Sequence, residues 1–296
     1  MNWNDARYFL AVARDGQMLG AARRLGVSQA LLSRRIAALE QAVGARLLDR
    51  TTRGCSLTED GRPMFEAAER VEAELLSATA RLQRRGGDVA GTIRIGAPDG
   101  FGSAFLAPRL RRFTNVYPGL HLQLVPVPRS FSLSQQEADV AVMVGRPEKG
   151  RLRVRRLTDY TLGLYAATSY LAETGRPETL ADLRDHTLVG YVEDLIYTPE
   201  LNYAADMLRD WRSTIEVSTA IGQFEAVRSG AGIGILHDFM AAARPDLVRL
   251  FPEQSVTRTY WTVWHENMRV ARRVQAVVEL LDTITREERH LFRHGS

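Results

Sequence analysis

Five side chains near the N-terminus stand out for the chemistry they can do. Gln29, Ser33 and Arg34 recur at the spacing of one helix face, and Arg50 and Arg53 follow in a short basic segment. A glutamine amide can donate and accept in one plane against an adenine edge. An arginine offers a rigid fork to guanine or to phosphate, and a serine hydroxyl serves either. Ala30 and Ala37 share that face; they are small enough to let a helix backbone approach a groove and touch a thymine methyl. On an isolated helix the same residues would form an ordinary solvated face. The neighbouring sequence decides between the two readings.

Such a face works only if a compact body holds it out. Ala6, Phe9, Leu10 and Ala13 fall at i, i+3, i+4 and i+7, which predicts a first helix with one apolar stripe. Met18, Ala21, Ala22 and Leu25 repeat the spacing on a second. Gly26 can take the left-handed conformation that ends a helix, Val27 anchors the turn, and Ser28 is a good N-cap, so a third helix begins at Gln29. Its inward face is Leu32, Ile36, Leu39 and Val43, and Gly44 stops it. A hairpin follows through Leu47-Leu48, turns near Thr51 to Gly54 and returns through Ser56-Leu57. Arg50 and Arg53 then sit at or near the turn, within reach of a phosphate or a minor groove. Residues 1–53 hold nine arginines against four acids, a net +5, whereas the whole chain is +4 and residues 54–296 therefore sum to −1. The positive excess is confined to the helical N-terminus, the electrostatic footprint of a segment that meets nucleic acid.

The segment AARRLGVSQALLSRRIAALEQAVGARLLDRTTRGCSLTEDG resembles the winged helix-turn-helix of LysR-type transcriptional regulators. The resemblance continues through a long helix into GTIRIGAPDGFGS and so covers nearly the whole chain. It implies that Gln29, Ser33 and Arg34 make base or phosphate contacts, with Arg53 on the wing. The full DNA-facing set is Ser28, Gln29, Ala30, Ser33, Arg34, Arg50 and Arg53. Ala30 departs from the family pattern, in which many members carry Pro after Ser-Gln; the departure bears on how the recognition helix starts and which bases it reads. The resemblance further implies double-stranded DNA with an interrupted inverted repeat, a small-molecule effector, a homodimer or homotetramer, and RNA polymerase as a further partner.

The 296 residues suffice for more than one domain, and 45% hydrophobic with 25% charged residues is ordinary for a globular protein. The sequence pI near 9.4 rests on arginine, since Lys149 is the only lysine. A single cysteine, Cys55, excludes an internal disulfide framework and offers no partner to resolve an oxidised state. No export signal opens the chain and no stretch has the length and apolarity of a membrane span, so a cytoplasmic protein without a cofactor is expected. Beyond the hairpin, Thr58 can cap a helix opened by Glu59 and Asp60. Met64, Ala68, Val71, Leu75, Ala78 and Leu82 then follow the four-three spacing of a coiled-coil seam. That helix either packs on its own body or pairs with a second copy; the narrow stripe favours pairing, and the resemblance implies dimerisation through it.

From Thr92 the period changes to short strands alternating with helices. Strands are expected at 92–97, 120–127, 139–145, 163–167, 187–192, 214–217, 232–236 and 260–264, with helices at 103–116 and 269–292. The βαβ order predicts a parallel sheet covered by helices. The fold class is therefore an α+β multidomain protein. It comprises a winged helix-turn-helix over 1–58, a linker helix over 59–85, a hinge over 86–91 and a C-terminal α/β effector domain. The resemblance implies that this last domain has two Rossmann-like lobes, 92–162 with 265–296, and 163–264, with ligand in the cleft between them. Effector-binding candidates are Asp99, Phe101, Gly102 and Ser103 after the first strand, and Ser130 and Phe131 after the second. Gly102 and the helix starting at Ser103 can offer backbone N–H groups to an anion. Asp99 would repel a carboxylate, however, and Asp99-Gly100 with Phe101 reads equally as a turn and a core residue.

Other motifs carry no catalytic chemistry. Ser229-Gly230-Ala231-Gly232-Ile233-Gly234 mimics a dinucleotide fingerprint, but a helix precedes it and a strand follows, the reverse of the required order. His121, His186, His237, His265, His290 and His294 show no metal-ligand spacing. No phosphate loop or nucleophile elbow occurs, and no enzyme is expected.

Overall fold

The N-terminal stripes fold as three helices and a hairpin. In the computed structural model, residues 2–51, 54–83, 89–127, 137–147, 150–208, 211–269 and 271–293 are described. The chain divides into two units, essentially Met1–Gly87 and Asp88–Ser296. In the first, α1 (Trp3–Asp15), α2 (Met18–Leu25) and α3 (Gln29–Val43) precede strands β1 (Leu48–Thr51) and β2 (Gly54–Leu57) and helix α4 (Gly61–Gln83). Gly16, Gly26 and Gly44 end the three helices in the left-handed region, at φ 71°, 66° and 72°. Phe9, Val12, Ala21, Leu32, Ile36 and Leu39 close one core with Leu47 and Leu48. Val43, expected inside, is exposed at 38%. It occupies the last turn, where the chain leaves the helix at Gly44, and the next buried residues are Leu47 and Leu48.

Thr58 does the capping expected of it. Its hydroxyl accepts from Gly61 N at 2.9 Å and donates to Arg46 O at 2.7 Å, so one side chain joins the start of α4 to the approach to β1. Arg14 on α1 then pairs with Glu69 and Glu72 at 3.3 and 2.8 Å, and Ala68 packs with Ala6 and Leu10. Farther along the seam Val71 and Leu75 are 46% and 50% exposed. The side chains of Ala78 and Leu82, and residues 84–88, which take in the end of the expected linker helix and the start of the expected hinge over 86–91, lie outside the described residues. Ala90 and Gly91 already belong to the first strand of the second unit.

The second unit starts with β3 (Ala90–Ala97). A π-turn, Phe101–Leu106, and a 3-10 turn, Ala107–Arg109, lead into α5 (Leu110–Val116), then β4 (Gly119–Pro126), β5 (Val140–Val144), β6 (Leu152–Ala167) and α6 (Thr168–Thr174). Next come β7 (Leu188–Gly190), α7 (Ala204–Met207), β8 (Ile215–Glu216), α8 (Ala220–Arg228), β9 (Ile233–His237), α9 (Asp238–Ala241), β10 (Leu247–Leu250), β11 (Val256–His265) and α10 (Arg272–Glu287). Among the described residues the strands form a nine-stranded sheet in the order β4-β3-β5-β11-β6-β9-β7-β8, with β10 also on β6.

The sheet is mixed, not parallel as the βαβ order alone suggested. Each end is parallel: β4, β3 and β5 at one, β7, β8 and β9 at the other. Between them β6 and β11 run antiparallel to each other, from Val256 opposite Leu162 to His265 opposite Leu152. These strands were read short because the first half of β6, Leu-Arg-Val-Arg-Arg, buries little and lacks an apolar run. The helix expected from Ser103 also starts earlier, helical turns being present from Asp99. Of the Ser229–Gly234 segment, residues 229–232 form the turn between α8 and β9 and Ile233-Gly234 open the strand, the helix-to-strand order expected.

Aromatic rings fill the centre. Tyr160 of β6 stacks on Tyr260 of β11 with centroids 4.0 Å apart, and Phe101 lies 4.8 Å from Tyr260. His237, at the end of β9, stacks on the other neighbour, Tyr160, at 5.2 Å and is 5% exposed. Burial lowers its pKa from 6.5 to about 4, so the imidazole stays neutral in the folded chain near neutral pH. The folded value lies below the unfolded one, so stability is present above pH 6.5 and is lost as pH falls towards about 4. Over that window the loss is on the order of 3 kcal/mol. Thermal unfolding of His237→Phe between pH 7 and pH 4.5 should show a shallower acid slope than the parent; parallel curves would remove His237 as the source.

Candidate DNA-facing surface and ligand cavities

The start of α3 is fixed by Ser28, whose backbone is extended and whose hydroxyl accepts from Leu31 N at 3.2 Å. This hydroxyl therefore serves the helix, and Ser28 positions the face more than it forms it. Gln29, Ala30, Arg34 and Ala37 are exposed, and Ser33 is half-buried. Leu32, Ile36 and Leu39 are fully buried on the opposite side. Burial on one side and polar exposure on the other give α3 a rigid, presentable face.

The hairpin is tied to the body at three points. Glu40 Oε1 accepts from Leu47 N and Leu48 N at 2.8 and 3.2 Å. Cys55 N donates to Gly16 O at 2.7 Å. Arg50 Nη1 donates to Ser33 Oγ at 3.0 Å, joining β1 to the exposed side of α3. Arg50 sits within β1 opposite Cys55, one residue before the Thr51–Gly54 pair, near the turn as expected. Arg53 lies outside the described residues.

The arginines divide by role. Arg14 is bound to Glu69 and Glu72, Arg24 to Asp15 at 3.6 Å and Ala11 O at 2.9 Å, and Arg35 to Asp5 at 3.5 Å. Arg23, Arg34, Arg46 and Arg50 are exposed and have no acidic partner among the described residues. The unpaired cations are those free to attract phosphate.

In the C-terminal unit the expected ligand residues scatter. Phe101 is fully buried among Phe105, Tyr260 and Phe292, so it belongs to the core. The Gly102 N–H is already donated to Pro98 O at 2.8 Å, so it has nothing to offer an anion; a Cβ there would come within 2.8 Å of Pro126 Cβ, which makes the residue a close helix-to-sheet contact. Ser103 is half-buried, and Ser130 and Phe131 lie outside the described residues. The Asp99 carboxylate accepts from Ile221 N at 3.1 Å, in the first turn of α8. Burial raises its pKa above the ordinary carboxyl value, against the lowering effect of N–H groups at Ile221, Ala220 and Gly100.

Among the described residues, two cavities lie elsewhere. One of about 140 Å³ has Pro98, Val144 and Arg146 on one side and Tyr197, Thr198 and Glu200 on the other. A larger one of about 390 Å³ is lined by Tyr191, Tyr203, Trp211 and Gln223, with Glu193 and Glu216. Asp99, Phe101, Gly102 and Ser103 line neither. The tyrosines at 191, 197 and 203, six residues apart, are a sequence signal that periodicity reasoning for helix or strand passes over: Tyr191 and Tyr203 line the larger cavity and Tyr197 the smaller.

Comparison with known proteins agrees with both halves of this picture. Residues 3–62 match the family model for the bacterial regulatory helix-turn-helix protein, lysR family, and residues 86–285 match the LysR substrate binding domain. The transcriptional regulator PtxR of Pseudomonas aeruginosa is 30% identical over 263 residues, covering 85% of this chain and 82% of PtxR. The transcriptional regulator CrgA of Neisseria meningitidis is 27% identical over 290 residues, covering 95% of this chain and 96% of CrgA. The solved structure of CrgA matches with a TM-score of 0.60 and 26% identity, over 96% of this chain and 98% of that one.

The Asp99 cap makes a pair of variants informative. Asp99→Asn keeps an acceptor for Ile221 N–H and removes the buried charge, whereas Asp99→Ala leaves that N–H without a partner. The alanine variant should lose about 1–2 kcal/mol at pH 7. The folded carboxyl titrates above its unfolded value, so its stabilising share is lost as pH rises, and the asparagine variant should gain on the parent from acid to neutral pH. Urea titration decides; equal losses in both variants would dismiss the capping role.

Proposed function

The chain belongs to the LysR family of bacterial transcriptional regulators, and from that premise we propose that α3 is its recognition helix, reading the major groove through Gln29, Ser33 and Arg34. Ser28 sets the entry of that helix and Ala30 lets its backbone approach, with its methyl available to thymine. Arg50 and Arg53 carry the hairpin onto the backbone or into the adjoining minor groove. The observation that carries this reading is the face of α3: exposed Gln29, Ala30 and Arg34 opposite a side sealed by Leu32, Ile36 and Leu39. LysR-type regulators bind DNA and small-molecule effectors and form oligomers, and their activity is regulatory, not enzymatic.

Two recognition helices reading an interrupted inverted repeat require a dimer. The exposed Val71 and Leu75 on α4 supply a seam for it, and a tetramer assembles through the effector domains. The effector sits between lobes 92–162 with 265–296 and 163–264, and must bind one assembly state better than another to change DNA spacing or bend and RNA polymerase access. No helix of the described residues is long and apolar enough to cross a membrane, in keeping with a cytoplasmic regulator.

Footprinting the purified protein on DNA flanking its own gene should reveal a protected, dyad-related site. Affinity there should fall steeply with salt as phosphate contacts release counterions. Arg34→Ala should weaken specific binding by about 1–3 kcal/mol and relax the preference at one base pair. Unchanged affinity and preference would refute base reading by Arg34.

A further inference from the structure

The larger cavity has a composition that selects its ligand. At about 390 Å³ it falls within the usual range for small-molecule sites. Its walls are aromatic: Tyr191 and Tyr203 meet edge to face, centroids 5.9 Å apart, and the Trp211 indole is oriented by its N–H bond to Ser213 Oγ at 2.9 Å. Gln223 is 2% exposed and spends its amide N–H on Val217 O at 3.0 Å, which leaves the amide oxygen as an acceptor. At the rim Glu193 and Glu216 are exposed and have no cationic partner among the described residues.

Of the charged side chains lining the cavity, one, Arg212, is a cation against the two glutamates, and the backbone donors an anion would use are engaged. The first-turn donors of α8, the natural cradle for a carboxylate or phosphate, are taken: Ile221 N by Asp99, Gly222 N by the Thr219 hydroxyl at 3.0 Å and Gln223 N by Thr219 O at 3.0 Å. The Asp99 charge reaches the cavity wall, where it adds to burial in keeping the Tyr191 and Tyr203 hydroxyls protonated. Neutral ring faces, free carboxylates and a buried acceptor are complementary to positive charge.

We propose that the cavity bounded by Tyr191, Tyr203, Trp211 and Gln223, with Glu193 and Glu216 at its rim, binds a small organic cation: an ammonium group carried on an apolar body. The ring faces hold the cation, the Gln223 oxygen accepts an ammonium N–H, and the two glutamates draw the charge in. Every residue lining this cavity falls within 163–264, so it is a ligand site separate from the interlobe position proposed above; the proposal rests on the reading of the chain as an effector-responsive regulator.

The test is calorimetric titration of the full-length protein with a matched charge series: phenethylammonium, neutral 2-phenylethanol and anionic 3-phenylpropanoate. Phenethylammonium should bind roughly tenfold tighter than the alcohol, with the carboxylate weakest. Glu193→Gln combined with Glu216→Gln, both at exposed positions, should remove most of that advantage while the alcohol binds as before. Equal or tighter binding of the carboxylate, no binding of any of the three, or a cation preference untouched by the double substitution overturns the proposal. Footprinting with the same preparation separates the two readings: a protected operator without cation binding sinks the ligand class alone, and no protection on any flanking DNA sinks the regulator assignment itself.

Discussion

The pairing of β6 with β11 is the constraint on which the C-terminal unit depends. Two long antiparallel strands, paired with one register shift between Tyr260 and Trp261, carry a parallel three-stranded half at each end of the sheet. The Tyr160–Tyr260 stack sits on it, and Phe101, in the helical turn after β3, and His237 of β9 extend the ring cluster. A chain that passes between halves inside an uninterrupted strand, instead of through a loose connection, keeps them in a definite relation. Changes in their relation must be accommodated by strand bending or at contacts beyond the ladder. The bond from Ile221 N to Asp99 is one such contact, since Asp99 follows β3 and Ile221 opens α8.

Charge is allocated with similar economy. In the N-terminal unit Arg14, Arg24 and Arg35 are spent on internal acids, and the remaining exposed arginines give the positive excess its direction. In the C-terminal unit buried Asp99 is neutralised in part by a helix terminus, while carboxylates at the larger cavity stay open to solvent. The net charge of the chain, +4, conceals this division.

Most of the N-terminal unit was legible in the sequence because its signals are local. Gly26, Ser28 and Gly44 mark helix ends through backbone geometry that few other residues supply, and Leu32, Ile36 and Leu39 repeat at the helical period. Val43 was misplaced because periodicity does not say where the body beneath a helix ends. The C-terminal unit was legible as an alternation of strands and helices but not as a mixed sheet, since strand direction is a property of distant pairings. The first half of β6 was hidden by its arginines, and β10 by its length. Near Asp99 the sequence left two readings open, ligand contact and a turn with a core residue. Position after a strand does not choose between them; the ring cluster around Phe101 and the bond from Ile221 N to Asp99 depend on residues more than a hundred positions away.

The hydrogen bond from Arg50 to Ser33 has a consequence for how this surface can evolve. The hydroxyl on the helix and the guanidinium on the hairpin hold each other, so neither can be exchanged without releasing its partner. A replacement at position 33 therefore also resets the reach of position 50, and its effect depends on which residue the hairpin carries. Drift in target preference is channelled through paired changes, and related chains that differ at one of these positions alone are poor guides to what the other reads.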